Sequence, residues 1–317
     1  MTSIHQAAVY GSDGRFLAMA LPFVRDGLAK GDPVMVATTS ANLELLGDAL
    51  GRDGRLVDYA ETAFLGRRTV ERATAFHRYW QRRGPEAPRG GHVRILAEPV
   101  WAGRAPADVR AWQRMESGLN LLLRDTNVWM ICPYDERTAD PGVVAGARRT
   151  HPTLSEDGVS MTPCPEYADP AGFIGECDSF PPLEPPGDSA VAHVETLHAL
   201  RVFVTGHASF MGLSHDRAKL LSVAAYEVAA LLEPPVTVRL WERLGAITCH
   251  VDRRGGRVAD PVAGFLPPGS VAAPGDGLWI ARQLCDRLDI HNDQGGCVIQ
   301  LHVPSARAEE SRQSRSY

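Results

Sequence analysis

Between residues 154 and 188 the chain places seven prolines, Pro163, Pro165, Pro170, Pro181, Pro182, Pro185 and Pro186, and loses its apolar periodicity. Proline has no amide donor and fixes φ, so a long helix or central strand is not expected to run through such a stretch. The 317-residue chain is thereby cut in two, and at 44% hydrophobic each part can bury a core of its own. The expected organisation is an N-terminal domain over residues 1–157, a semi-rigid connector over 158–188 and a C-terminal domain over 189–308. A disordered tail is expected over 309–317.

Short apolar runs at 6–10, 33–38, 55–59, 92–97 and 128–132 alternate with helical stretches in the first part. Phe16, Ala20, Phe23, Val24 and Leu28 share one helical face, as do Val109, Trp112, Met115, Leu119 and Leu122. This βαβ alternation predicts an α/β domain around a mostly parallel sheet. Beyond the connector a helix is expected over 191–208. A second follows Ser214, with Leu220, Leu221, Ala224, Val228 and Leu231 on one face. Strands at 236–241 and 246–251, a Gly/Pro-rich loop over 253–275, a helix and a last strand at 297–303 complete an α/β sandwich.

The net charge of −5 leaves no basic field for nucleic acid or an anionic membrane, so direct binding to either is disfavoured. The first residues carry no long apolar stretch, and a cytoplasmic protein is expected. Six cysteines are scattered without a C-x-x-C pair or zinc-finger histidines, which fits reduced thiols. His5, Glu98 and Cys132 have metal-ligand chemistry, but no spacing selects them and no metal site is expected. Lys30 is followed by Gly31 and Lys219 is preceded by Ala218, so neither belongs to a G-x-x-x-x-G-K-[ST] phosphate loop.

In an open parallel sheet, ligands sit beyond the carboxyl ends of the strands. That rule collects Tyr10, Thr38, Glu98, Trp101, Cys132 and Tyr134, a set suited to a small, mainly apolar ligand with a polar handle. Two plainer readings stand beside it. Tyr10, Trp101 and Tyr134 can cap the core, and Glu98 can be a strand-end turn carboxylate contributing little to packing. The blocks "HQAAVYGSDGRFLAMALPFVRDGLAKGDPVMVATT", "ILAEPVWAGRAPADVRAWQRMESGLN" and "WMICPYDERTADPGVVAGARRTHP" resemble the MEDS sensory domain over about residues 5–152. The resemblance implies a RecA-like fold and sensing of small organic, hydrocarbon-like compounds. His5 matches a histidine common in that family, with a solvent-exposed strand-end histidine as the alternative.

The second part carries "RVFVTGHASFMGLSHDRAKLLSVAAYEVAALL", "CHVDRRGGRVADPVAGFLPP", "GDGLWIARQLCDRLDI" and "GCVIQLHVP" in that order. Together these resemble the GHKL-type ATP-binding domain of bacterial anti-sigma-factor serine/threonine kinases. The resemblance implies a general base at Glu227, adenine contacts at Asp252, Gly255 and Gly256, and a phosphate cradle at Gly275, Gly277 and Leu278. It also shows losses. Leu231 stands where the family has an asparagine holding Mg²⁺, and a hydrocarbon cannot ligate a hard cation. Arg253 stands where an aspartate accepts the adenine amino group, so a donor faces a donor. Asp252 is one residue away, and in extended backbone that places it on the other face. Weakened or lost binding of ATP and Mg²⁺ is expected, as in a pseudokinase. The expected partners are a sigma factor or an anti-anti-sigma protein, a small organic effector, and a second copy in a homodimer. The enzyme alternative is an active ATP-dependent anti-sigma-factor serine/threonine kinase.

Overall fold

The computed structural model describes residues 3–66, 68–269 and 275–305, which form two compact units meeting in sequence at Ile174 and Gly175. The expected tail, 309–317, and part of the Gly/Pro-rich loop, 270–274, lie outside the described residues.

In the first unit β1 (Ile4–Tyr10), α1 (Asp13–Lys30), β2 (Val34–Thr38), α2 (Ser40–Leu50), β3 (Asp58–Glu61), α3 (Thr69–Arg83), β4 (Val93–Ala97), α4 (Pro106–Leu122), β5 (Val128–Asp135) and α5 (Pro141–Thr150) follow in turn. Two short strands come next, β6 (Thr153–Leu154) and β7 (Thr162–Pro163). The seven-stranded sheet runs β3-β2-β4-β5-β1-β6-β7, parallel except for the β6–β7 pair. Local chemistry sets the helix ends. Ser12 caps α1 by accepting from the Arg15 amide at 3.2 Å, and Gly31 closes it at φ 76°, a conformation that suits glycine.

Residue parity sorts the sheet faces. Ala8, Tyr10, Val34, Val36, Leu96, Trp129 and Ile131 pack under α1 and α2. His5, Met130, Cys132 and Tyr134 therefore face the α3–α4–α5 side. The buried Arg94 shows how this fold satisfies an interior charge. It bonds Asp32 at 2.9 Å, Asp26 at 2.5 Å and the Phe23 carbonyl at 3.1 Å, and lies over Trp129.

The expected connector is more structured than its prolines suggest. Besides β7 it carries α6 (Pro170–Asp178), which begins at Pro170, where the missing amide costs nothing. Phe173 and Ile174 are buried, with the Arg149 guanidinium 4.8 Å over the Phe173 ring. The first unit thus extends to residue 174, past the expected end at 157.

The second unit contains β8 (Ala190–Val194), α7 (Leu197–Phe210), α8 (His215–Leu232), β9 (Val236–Arg243), β10 (Ala246–Arg254), α9 (Asp276–Leu284), β11 (Arg287–Asn292) and β12 (Gly296–Pro304). The antiparallel sheet runs β11-β12-β10-β9-β8, and its inner face packs on the three helices. The helix expected to start at residue 191 is preceded by an edge strand, with Thr196 capping α7. Leu183 of the proline-rich run exchanges two backbone bonds, 2.9 and 2.7 Å, with the Gln300 side chain on the outer face. Among the described residues no helix is long and apolar enough to cross a membrane.

Candidate functional site

The residues expected to share one ligand site fall on opposite faces of the first sheet. Under α1 and α2, Glu98 is buried and accepts from Tyr10 Oη at 2.7 Å, Asn42 Nδ2 at 3.0 Å and the Thr38 hydroxyl. Burial pushes its carboxyl up against the pull of those three donors. Thr62 donates to the Glu98 carbonyl. This network is internally satisfied, so Glu98 is a structural acceptor rather than an exposed turn carboxylate, and Tyr10 is its donor.

On the opposite face lies a different cluster. His5 is 4% exposed, which corrects the expectation of a solvent-exposed strand end. Its Nε2 lies 3.4 Å from Cys132 Sγ and 3.8 Å from Glu116 Oε2. Cys132 Sγ is 3.5 Å from Glu116 Oε2, and His151 Nε2 is 3.6 Å from the same oxygen. The four ligand-type atoms all lie within 4.8 Å of one another, and all four residues are buried.

Aromatic rings continue the cluster along the sheet. His151 stands 4.1 Å from the His5 ring and edge-on to Tyr134 at 5.8 Å. Tyr134 stacks on Trp101 at 5.9 Å, and Trp101 meets Trp112 edge-on at 6.2 Å. Arg72 is 1% exposed, with its guanidinium 5.4 Å from the Phe76 ring and 5.6 Å from the Trp112 ring. Its Nη1 donates to Thr62 Oγ1 at 2.9 Å.

Arg72 Nη2, Trp101 Nε1 and His151 Nε2 are buried without a hydrogen-bond partner. Each such group costs on the order of 1–3 kcal/mol unless something meets it. The contrast with the satisfied Arg94 marks this cluster as one with unused recognition capacity.

Burial holds the cluster near neutrality. It lowers His5 to about 4 despite the Asn120 hydrogen bond, and drives His151 well down with help from His5. It raises Glu116 to about 7 while Arg72 pulls the other way, and it lifts the Cys132 thiol and Tyr134 phenol. A thiol raised in this way is not an activated nucleophile. The arrangement suits binding: convergent lone pairs at one end, and free N–H donors among aromatic faces at the other.

Glu116 and His151 were not among the expected site residues. Glu116 lies one turn after Trp112 on the buried stripe of α4, where a carboxylate has no packing reason to be. His151 directly follows α5, and nothing in its spacing ties it to the other three.

In the second unit Gly277, at the start of α9, is overlain by the Glu227 carboxylate of α8. These two expected residues therefore come together, with Gly275 at φ 95° capping α9 and Leu278 fully buried. The adenine set does not assemble in the same way. Asp252 points to the outer face, 3.9 Å from Arg239, while Arg253 lies on the helix face. The Arg253 side chain folds back to donate to the Leu232 and Pro235 carbonyls, both at 3.3 Å, capping the end of α8. Gly255 and Gly256 form the turn after β10. Gly255 sits at φ 70° with its amide on the Gly295 carbonyl at 2.9 Å, and Gly256 lies against the Arg253 side chain. Leu231 packs against the core.

No curated protein matches the chain. Residues 4–152, within the first unit, match the family model described as MEDS, the MEthanogen/methylotroph, DcmR Sensory domain, which suggests a sensing, regulatory role.

Proposed function

We propose that the chain is a signalling regulator. Its first unit registers a small organic ligand at the buried, unpartnered donors Arg72 and Trp101, and its second unit engages a sigma factor or an anti-anti-sigma protein without turning over ATP. The observation that carries the sensing half is the pair of unpartnered N–H donors, Arg72 Nη2 and Trp101 Nε1, in a sensory domain. A ligand with a polar head and a small apolar body would meet the two N–H donors and set its apolar part against the Trp101 and Trp112 rings. Such a ligand acts on the partner only if it binds two states of the protein with different affinity.

The second half draws on the GHKL-like order of helices and antiparallel strands together with the use made of Arg253. A guanidinium tied to the last carbonyl of α8 and to the Pro235 carbonyl offers nothing to an adenine amino group, and Leu231 offers nothing to Mg²⁺. The kinase alternative draws on one observation, the Glu227 carboxylate beside Gly277.

Tryptophan fluorescence of the full chain, titrated with a panel of small alcohols, amines and carboxylic acids, tests the sensing half. A saturable change in the wild type, lost in Arg72→Met and in Trp101→Phe, is expected. Equal saturation in both variants would move sensing away from these two donors.

A further inference from the structure

His5 comes from β1, Glu116 from α4, Cys132 from β5 and His151 from the residue after α5, yet their ligand atoms converge on one point. The four recorded edges between them are 3.4, 3.5, 3.6 and 3.8 Å. Around a tetrahedral zinc ion, bonds of about 2.0–2.3 Å give ligand–ligand edges of about 3.3–3.8 Å.

The hydrogen-bond partners fix which way the imidazole lone pairs face. Asn120 Nδ2 donates to the Ser117 and Thr150 carbonyls at 3.0 and 2.8 Å, which leaves its Oδ1 facing His5 Nδ1 at 3.1 Å. A carboxamide oxygen only accepts, so His5 Nδ1 carries the proton and Nε2 presents a lone pair to the cluster. His151 Nδ1 lies 2.9 Å from the Ala147 carbonyl, which fixes the same tautomer and turns its unpartnered Nε2 inward. A ring N–H held by a carbonyl while the other nitrogen ligates is the usual outer arrangement of metal-bound histidine. Without an ion, two imidazole lone pairs and a carboxylate face one thiol proton and at most one carboxyl proton, and His151 Nε2 has no donor.

From this geometry we propose that His5, Glu116, Cys132 and His151 form a closed binding site for a divalent transition metal of the zinc class. Imidazole and thiolate ligands disfavour Mg²⁺ and Ca²⁺. Cys132 would ligate as thiolate and Glu116 as carboxylate, releasing the thiol proton and any carboxyl proton to solvent. Their two negative charges cancel those of the ion, so the buried site is neutral. With four protein ligands no position is left for substrate, so the ion ties β1, β5, α4 and the end of α5 together. This site does not depend on the sensing proposal, because it uses none of the Arg72 and Trp101 donors.

The test is Co²⁺ uptake by the chelator-stripped full-length chain, read by elemental analysis and by absorption. One Co²⁺ per chain is expected, with the intense visible bands of tetrahedral cobalt, a thiolate charge-transfer band in the near ultraviolet, and displacement by Zn²⁺. Cys132→Ser should abolish the charge-transfer band, and Asn120→Ala should weaken binding by about 10- to 100-fold. Cys164→Ser, a buried thiol outside the cluster, should change neither. Folded wild-type chain taking up no Co²⁺ above a non-binding control overturns the proposal without recourse to any variant. A six-coordinate spectrum, or a charge-transfer band that survives Cys132→Ser, does the same.

Discussion

Replacing Glu98 with alanine removes one acceptor from three donors that point at it inside the fold. Tyr10 Oη, Asn42 Nδ2 and the Thr38 hydroxyl would keep their positions and lose their partner. Hydrogen bonds to a charged group contribute about 1.5–3 kcal/mol each. The three are not additive, since Asn42 Nδ2 also reaches Tyr10 Oη at 2.9 Å and Thr38 Oγ1 at 3.2 Å, so the donors can partly re-pair. A loss of about 3–4 kcal/mol follows, and at about 2–4 °C per kcal/mol for a unit of this size the first unit should melt about 6–16 °C lower. Tryptophan fluorescence suits the measurement, because Trp80, Trp101, Trp112 and Trp129 lie in that unit. Glu98→Gln retains an acceptor oxygen and should lose less. A melting point within about 2 °C of wild type for Glu98→Ala would refute the reasoning and return Glu98 to the strand-end turn carboxylate, contributing little to packing, that was read from the sequence.

Two further outcomes are expected. Burial favours protonation of Asp289, but the hydrogen bond to His302 at 3.0 Å and the adjacent Arg287 outweigh it and hold the carboxyl well below its ordinary range. The stability this contributes is complete above the unfolded value of about 4 and is lost as pH falls through the folded one. The urea midpoints of wild type and Asp289→Asn should therefore converge below about pH 4, and a gap constant from pH 7 to pH 3 would contradict the assignment. Subtilisin should cut first between residues 179 and 187, where Phe180 is half-exposed, and not between 155 and 174, where Phe173 and Ile174 are buried. Early fragments ending within 155–174 would contradict the unit boundary.

The sequence made the sheet of the first unit legible because each apolar run is bounded by turn residues and followed by a 3.6-residue stripe. Its edges were harder to read. β3 reads Asp-Tyr-Ala-Glu, with too little apolar content to register its start at Asp58, and β11 was absorbed into the preceding helix. Pro163 and Pro170 looked like connector residues, yet one sits in a two-residue strand and the other opens a helix, both positions that tolerate a missing amide. The carboxyl-edge rule found Tyr10, Glu98, Trp101, Cys132 and Tyr134 but could not say which face each side chain takes. Parity within β1 separates His5 from Tyr10, whereas placing Glu98 with Tyr10 requires the β4 and β5 registers. The spacing rules for metals look for local pairs, and a quartet at positions 5, 116, 132 and 151 leaves no such trace. The slip of Asp252 to the outer face was legible from strand alternation alone. The docking of Arg253 on the end of α8 was not, because it depends on where the α8–β9 turn runs.

Isothermal titration of Mg-ATP into the full chain, beside the Leu231→Asn, Arg253→Asp double variant, tests the central claim most directly. In the GHKL-type kinases that the second unit is proposed to resemble, the metal ligand and adenine acceptor stand at the positions of Leu231 and Arg253, neither of which can do that work. Two missing charged contacts at about 1.5–3 kcal/mol each lower affinity by about two to four orders of magnitude. The account predicts millimolar or undetectable binding by the wild type and tighter binding by the double variant. Micromolar Mg-ATP binding by the wild type, followed by phosphate transfer to an anti-anti-sigma protein, would contradict it and establish the second unit as a working kinase.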